Sequence, residues 1–369
     1  MGKILDWKKT NLLFVYIESE DLCDKDERFS GKNHGWISED GLLQIESEQD
    51  THAYRIADGG FDDYSTGDIV SILPNGFFSM LYDADSLEVD IFVSSNCNSN
   101  CIMCPLPEAT RRQKDIKHIE WLIEYIDILP EDVAYVNITG GEPTLAKDGF
   151  LIVMDALRRK FDKSGFQLLS NGRSLADIHF LENVVKVSPV SMRFAIPIHS
   201  SNAETHDAIT RAKGSFVQTD RGIKNLLMLH QKVEIRIVIS ARNIEDLDDT
   251  AQYIVDNYPG VFCVNFIGME MMGNAVVNKD SLWIDYSIAF AKAKSGIDLL
   301  VRNGIDVQLY NFPLCAVDRG YWHIAAKSIT DYKVRFMDDC DECRVKEICG
   351  GFFVSTKQVM KPQVFPIRD

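Results

Sequence analysis

The sequence predicts an α/β fold: a partial (β/α)6 barrel, preceded by a small, mostly β N-terminal unit and followed by a cysteine-rich module. Three observations carry this. From residue 88 on, short apolar runs alternate six times with segments of helical spacing. Those runs are continuously apolar, as parallel strands covered on both faces are. The rhythm is absent before residue 86 and breaks after Gly304. Six strands fall short of the eight that close a barrel, so an open one is expected.

Residues 1–85 are rich in Asp, Glu, Gly and Ser. Their apolar pieces NLLFVYI, GLLQI, DIVSIL and FFSMLY read as short strands joined by Gly and Asp turns. Within 86–304, strands are predicted at 89–95, 133–141, 166–172, 191–200, 233–240 and 261–269. Helices are predicted at 113–129, 150–161, 175–185, 244–258 and 282–304, with one or two more between Ala203 and His230. In 305–369, DVQLY offers a further strand, and the rest reads as loop. Neither an internal repeat nor a low-complexity segment is present.

A chain of 369 residues, 46% apolar and 25% charged, can bury a full core without disulfides. Its net charge of −16 speaks against non-specific nucleic-acid binding, which needs basic surface to displace counterions. No apolar run reaches the ~18 residues of a transmembrane helix, so no membrane span is expected. The N-terminus lacks the apolar core of a signal peptide. A cytoplasmic location is therefore expected. Structural disulfides are rare there, and the nine cysteines need another reason.

Seven of the nine fall in two groups. Cys97, Cys101 and Cys104 form C-x3-C-x2-C directly after the first barrel strand, where active-site loops of parallel barrels lie. Cys340, Cys343 and Cys349 form C-x2-C-x5-C, with Cys315 upstream. Short-spaced thiols in a reducing compartment point to metal. Three thiolates cannot alone close a tetrahedral zinc site, whereas on a 4Fe–4S cluster they leave one iron open to a small molecule. Spacing alone leaves a Cys3His zinc site as the alternative. Cys263, inside VFCVNFIGM, reads as core, and Cys23 is given no role.

The second strand ends in TGGEP, Thr139 to Pro143. Adjacent glycines allow close backbone approach, and their N–H groups are available to a ligand. Glu142 offers a carboxylate to an ammonium group. By itself this pattern is an ordinary strand-to-helix turn. Beside a three-cysteine loop it is more.

CNSNCIMC followed by TGGEPTL resembles the radical S-adenosylmethionine (SAM) superfamily over about residues 89–300. The resemblance implies that Cys97, Cys101 and Cys104 hold a 4Fe–4S cluster whose open iron is chelated by SAM. It implies that Glu142 and the backbone of Gly140 and Gly141 hold the SAM ammonium, with Pro143 among the cofactor-binding residues, and that Met103 packs on the adenine side. Ser170 and Asn171, in the SNG that ends the third strand, resemble the segment near the SAM ribose. His206, Asp207, Arg211 and GSF at 214–216 resemble a segment of peptide-modifying members, which makes Arg211 a candidate for the SAM carboxylate. Relatives carry Ser and Asp at the end of the fourth strand. Here IPIHS stands instead, and His199 is either a proton carrier or a structural histidine.

Cys315, Cys340, Cys343 and Cys349 resemble the shortened auxiliary-cluster module called twitch, cut down from the SPASM extension, and imply one auxiliary 4Fe–4S cluster. A zinc ribbon is the alternative. The chain ends 20 residues after Cys349, so a second auxiliary cluster is not expected. The segment AAKSITDYKVRFMDDCDECRVKEICGGFF (325–353), with SNCNSNCIMCPLP and GDIV (67–70), is most similar to the His-Xaa-Ser system radical SAM maturases. That resemblance implies a gene-encoded peptide substrate with His-Xaa-Ser repeats, a sister radical SAM protein and a flavodoxin- or ferredoxin-type electron donor. It implies reductive cleavage of SAM, hydrogen abstraction by a 5′-deoxyadenosyl radical, and an oxidative crosslink or related change on the peptide. A radical enzyme acting on a small metabolite and a non-catalytic zinc protein are the alternatives.

Overall fold

The computed structural model describes residues 2–5, 13–17, 33–37, 42–46, 51–55, 64–112 and 118–368. Cys23 lies outside these. The N-terminal apolar pieces form strands β1 (Gly2–Lys3), β2 (Leu13–Ile17), β3 (Asn33–Ile37), β4 (Leu43–Glu46), β5 (Thr51–Tyr54), β6 (Ile69–Ile72) and β7 (Phe77–Tyr82). They make one seven-stranded sheet in the order β1-β7-β6-β2-β3-β4-β5. Only β2 and β3 pair in parallel; the other neighbours are antiparallel. Val15 and Ile17, Leu43 and Ile45, and Val70 and Ile72 stand two apart and therefore share a face, burying one core with Ile4 and Phe78. Each such side chain contributes about 1.5–3 kcal/mol. Asp68, in the GDIV segment, is buried, and its carboxylate accepts the N–H groups of Ser65 and Ala84, both at 2.8 Å.

The alternating region forms an eight-stranded sheet ordered β15-β14-β13-β12-β11-β10-β9-β8. Its strands are β8 (Glu88–Ser94), β9 (Tyr135–Gly140), β10 (Gly165–Leu169), β11 (Met192–Pro197), β12 (Lys232–Val238), β13 (Cys263–Ile267), β14 (Asp306–Tyr310) and β15 (Ala325–Ala326). The register from β11 to β15 is parallel throughout. The six predicted strands are present, DVQLY is a seventh, and the two-residue β15 is an eighth inside a stretch read as loop. The helices are α1 (Glu108–Arg111), α2 (His118–Ile128), α3 (Asp148–Lys160), α4 (Ile178–Val187), α5 (Ala203–Thr210), α6 (Ser215–Met228), α7 (Leu247–Asn257), α8 (Asn274–Val277), α9 (Lys279–Leu282), α10 (Tyr286–Arg302) and α11 (Val354–Met360). Asp177, Asn202 and Asp285 cap α4, α5 and α10 by accepting first-turn N–H groups. The Asp285 cap explains why the helix expected over 282–304 begins only at Tyr286.

Two units are distinguished by their internal contacts. The first holds Met1–Ile91, Lys117–Asn137 and Asp155–Phe166; the second holds Phe92–Ile116, Ile138–Met154 and Gln167–Asp369. A two-stranded antiparallel ribbon, β16 (Val334–Arg335) with β17 (Phe352–Phe353), lies in the cysteine-rich segment. Among the described residues no helix is long and apolar enough to cross a membrane.

Candidate active site

The second unit contains the whole of the predicted site. After β8 the chain enters the loop that carries Cys97, Cys101 and Cys104, and this loop is held from three directions. The C-terminal carbonyls of α5 accept two of its N–H groups, Thr210 from Asn100 and Ile209 from Ile102, both at 2.9 Å. Arg111 is buried. Its Nη1 donates to Ser99 O (2.9 Å), Nη2 to Asn100 Oδ1 (2.6 Å) and Nε to Leu106 O (3.1 Å). Asn274 Nδ2 donates to Cys101 O and Asn278 Nδ2 to Ile102 O, both at 2.9 Å. Gly273 has φ +56, and a Cβ there would stand 2.3 Å from Pro105 O.

Burial pushes the Cys97 thiol above its ordinary range, helped by the charges of Glu142 and Cys104. It pushes Cys101 up to about 12, with Cys104 and Cys97 adding to the rise. Cys104 bears on both of the other thiols, so the three are neighbours. A metal or cluster must pull their protons off to bind.

TGGEP meets this loop backbone to backbone. A Cβ on Gly140 would stand 2.3 Å from Ser94 O, and one on Gly141 would stand 2.4 Å from Ser95 O. The N–H of Gly141 donates to Ser94 O and that of Glu142 to Asn96 O, both at 2.7 Å. These two N–H groups are therefore spent on the strand end, and the glycines serve the approach of two chains. Glu142 is fully buried, and every donor on its carboxylate is internal. Oε1 accepts from Thr144 N (3.1 Å), Thr144 Oγ1 (2.5 Å) and Ser170 Oγ (2.8 Å), and Oε2 from Asn171 N (2.6 Å). Burial raises its pKa, and those four donors oppose the rise.

Above these elements lies a cavity of about 500 Å³. Cys97, Cys101, Cys104, Met103, Gly140, Gly141, Ser170 and Asn171 line it, as do Thr139, Pro197, His199, Arg236 and Glu270. Glu142, Pro143 and Arg211 do not. Arg211 follows α5 as its C-terminal cap at φ +50, and its Nη2 donates to Asn278 Oδ1 at 3.1 Å. The HD and GSF segments brace one another: Asp207 accepts from Gly214 N, Phe216 N and Ser215 Oγ. Burial raises the Asp207 pKa, but these donors outweigh it and hold the carboxyl below its ordinary range.

The guanidinium lining the cavity belongs to Arg236, which sequence reasoning missed. Glu234, fully buried two residues earlier in β12, accepts from Gln167 Nε2 (3.0 Å) and pairs with Arg193 Nη1 (3.2 Å). Arg236 Nε lies 3.3 Å from its other oxygen, an ion pair without hydrogen-bond alignment. Two charged residues inside the apolar strand VEIRIVIS were the available signal. His199 is buried and stacks on His206 with ring centroids 5.4 Å apart. Burial holds His199 down to about 3 and His206 down to about 4, so both are neutral at neutral pH.

The second cysteine group also converges. Cys315, Cys340, Cys343 and Cys349 line one small cavity with Pro313, Phe336, Phe352 and Val364. Cys315 is pushed up to about 11 by burial, with the three other thiols contributing. Leu314 N and Gly351 N each donate to Cys349 Sγ at 3.4 Å. Among the described residues no three His, Cys, Asp or Glu side chains converge as the ligands of a single ion do.

Residues 91–254 match the Radical SAM superfamily. The mycofactocin maturase MftC of Mycolicibacterium smegmatis is 28% identical over 166 residues, covering 42% of this chain and 38% of the relative. The antilisterial bacteriocin subtilosin biosynthesis protein AlbA of Bacillus subtilis is 29% identical over 189 residues, covering 50% and 40%. The chain thus spans about two fifths of the length of these curated relatives. SuiB of Streptococcus suis bound to S-adenosylmethionine superposes with a TM-score of 0.47 at 14% identity, covering 62% of this chain and 51% of that one. The chain carries a radical SAM domain, residues 91–254.

Proposed function

We propose that this protein is a peptide maturase using radical SAM chemistry on a gene-encoded peptide. The observation that carries the reading is the convergence of Cys97, Cys101 and Cys104 with Gly140, Gly141, Ser170 and Asn171 on one cavity. Its size suits SAM together with one substrate side chain. The donor set fits the family's cofactor: three thiols in one loop are the ligands a 4Fe–4S cluster with one open iron needs. When bound, that cluster and SAM supply reductive cleavage to a 5′-deoxyadenosyl radical able to take hydrogen from an unactivated carbon.

The protein's own residues position and enclose. Cys97, Cys101 and Cys104 would hold the cluster on a loop locked by Arg111, Asn274 and Asn278. Glu142 fixes Ser170 and Asn171 beside Gly140 and Gly141, so the second and third strand ends present one face to SAM. Pro143 follows in the same turn. Met103 packs with Ile102, Ile209, Met269 and Met271 and supplies an apolar wall. Arg236, rather than Arg211, is the cation available to a carboxylate in the cavity. Cys315, Cys340, Cys343 and Cys349 would hold one auxiliary 4Fe–4S cluster, their apolar enclosure and the N–H donors on Cys349 tuning its potential. The peptide class rests on the named maturases among the relatives, and His-Xaa-Ser repeats with a sister radical SAM protein on the sequence words quoted above.

Anaerobic reconstitution with iron and sulfide tests this reading. Dithionite-dependent release of 5′-deoxyadenosine from SAM is the expected result, followed by mass loss on a peptide encoded beside the gene. A colourless protein with stoichiometric zinc and no SAM cleavage overturns it.

A further inference from the structure

A second concavity, of about 680 Å³, opens on the outside of the second unit beside the cysteine loop. Its walls carry Lys147, Arg173 and Arg221, against one lining carboxylate, Asp177. Asp177 is committed to capping α4, accepting from His179 N and Phe180 N. Among the described residues no carboxylate pairs with any of the three cations. Lys147 follows the TGGEP turn with φ +51, and its Nζ lies over the Phe180 ring at 4.2 Å. Arg221 stands one turn beyond Gln218 on α6. Arg173 joins the groove to the cluster loop: its Nε donates to Gln218 Oε1 (2.7 Å), and its Nη1 donates to Asn98 O and to Ser99 Oγ (3.0 Å). Asn98 and Ser99 lie between Cys97 and Cys101.

A chain of net charge −16 repels acidic proteins on balance. Three cations without a carboxylate partner stand on one wall here, and one of them, Arg173, is bonded to the backbone between two cluster ligands; together they reverse that repulsion locally. We propose that this groove is the docking surface for a small acidic one-electron carrier protein that reduces the cluster. This rests on the reading of Cys97, Cys101 and Cys104 as cluster ligands. The carrier gives up one electron and the cluster takes it up; no bond forms or breaks. Electron-transfer encounters are small and transient, and charge sets their orientation and rate. A shallow basic wall suits such an encounter better than a deep pocket does.

The test uses the full chain and the double variant K147E/R221E, which leaves Arg173 and the cluster loop intact. Oxidised flavodoxin, an acidic probe, is titrated onto each protein at low and high ionic strength. The expected result is a Kd raised about tenfold in the variant, with the wild type's salt dependence flattened. Dithionite-driven SAM cleavage is expected to stay within about twofold of wild type, since a small reductant needs no docking. Equal flavodoxin affinity in the two proteins, or affinity indifferent to salt, overturns the docking surface while leaving the cluster assignment standing. Tight binding of inorganic phosphate that the double variant abolishes, with flavodoxin affinity unchanged, assigns the groove to a small anion and overturns it as well. Absence of dithionite-driven cleavage in the wild type overturns the cluster reading itself.

Discussion

The carboxylate of Glu142 accepts the backbone N–H of Asn171 at 2.6 Å, tying the end of the second barrel strand to the end of the third. With Ser170 Oγ and both donors of Thr144 on the other oxygen, it is a buried, fully satisfied acceptor. Removing it strands four donors. Glu142→Ala is expected to lower stability by about 3 kcal/mol and Glu142→Gln by about 1–2 kcal/mol. Urea unfolding of the apoprotein measures this. SAM affinity, read by calorimetry, should fall in both variants because Asn171 is no longer held.

The Arg111 guanidinium makes three bonds, one from each nitrogen, which lysine cannot reproduce. Arg111→Lys should fold yet load iron poorly, with reconstituted iron falling to about half or less. Iron and sulfide analysis checks it. Wild-type loading in this variant would show that the loop needs no clamp.

The two cysteine groups should separate cleanly. Cys101→Ala is expected to abolish deoxyadenosine formation. Cys340→Ala is expected to keep it while losing product on the peptide, with iron falling by about four per chain. Retained SAM cleavage in Cys101→Ala would refute the ligand assignment.

Acid should destabilise the fold through the histidine pair. Free histidine titrates near ~6.5, whereas His199 and His206 are held to about 3 and about 4. The unfolded chain therefore binds protons first as pH falls. The pair's contribution is complete above about 6.5 and is lost progressively on the way down to pH 4, by about 3 kcal/mol per histidine. Denaturant midpoints at pH 7, 5.5 and 4 measure the slope, and His199→Phe should flatten it.

Much of this was legible in the chain. The strand runs, the two cysteine groups and TGGEP are local patterns, and local patterns survive without a structure. Side chains that act across the fold do not. Arg111 reaches back to Ser99, and Asn274 reaches Cys101 across 173 positions, so no spacing rule finds them. Arg211 is a different case. It matches a family segment, and in the fold its side chain bonds Asn278 and is not part of the cavity lining. In the N-terminal sheet, β3 and β5 went unread because NHGWI and THAY are too polar to stand out. Gly35 in β3 is there because Val15 Cγ1 leaves 2.6 Å for a Cβ.

The crowding of Gly140 and Gly141 against Ser94 and Ser95 has a mechanical side. Two chains that touch through bare backbone, pinned by two bonds of 2.7 Å, have no soft side chain between them to absorb movement. The thiol loop and the turn beside it therefore shift together as one stiff piece. A cofactor gripped by both would be carried, not stretched, when the barrel breathes. Amide exchange at Gly141 and Glu142 should be slow and matched, since neither bond opens without the other.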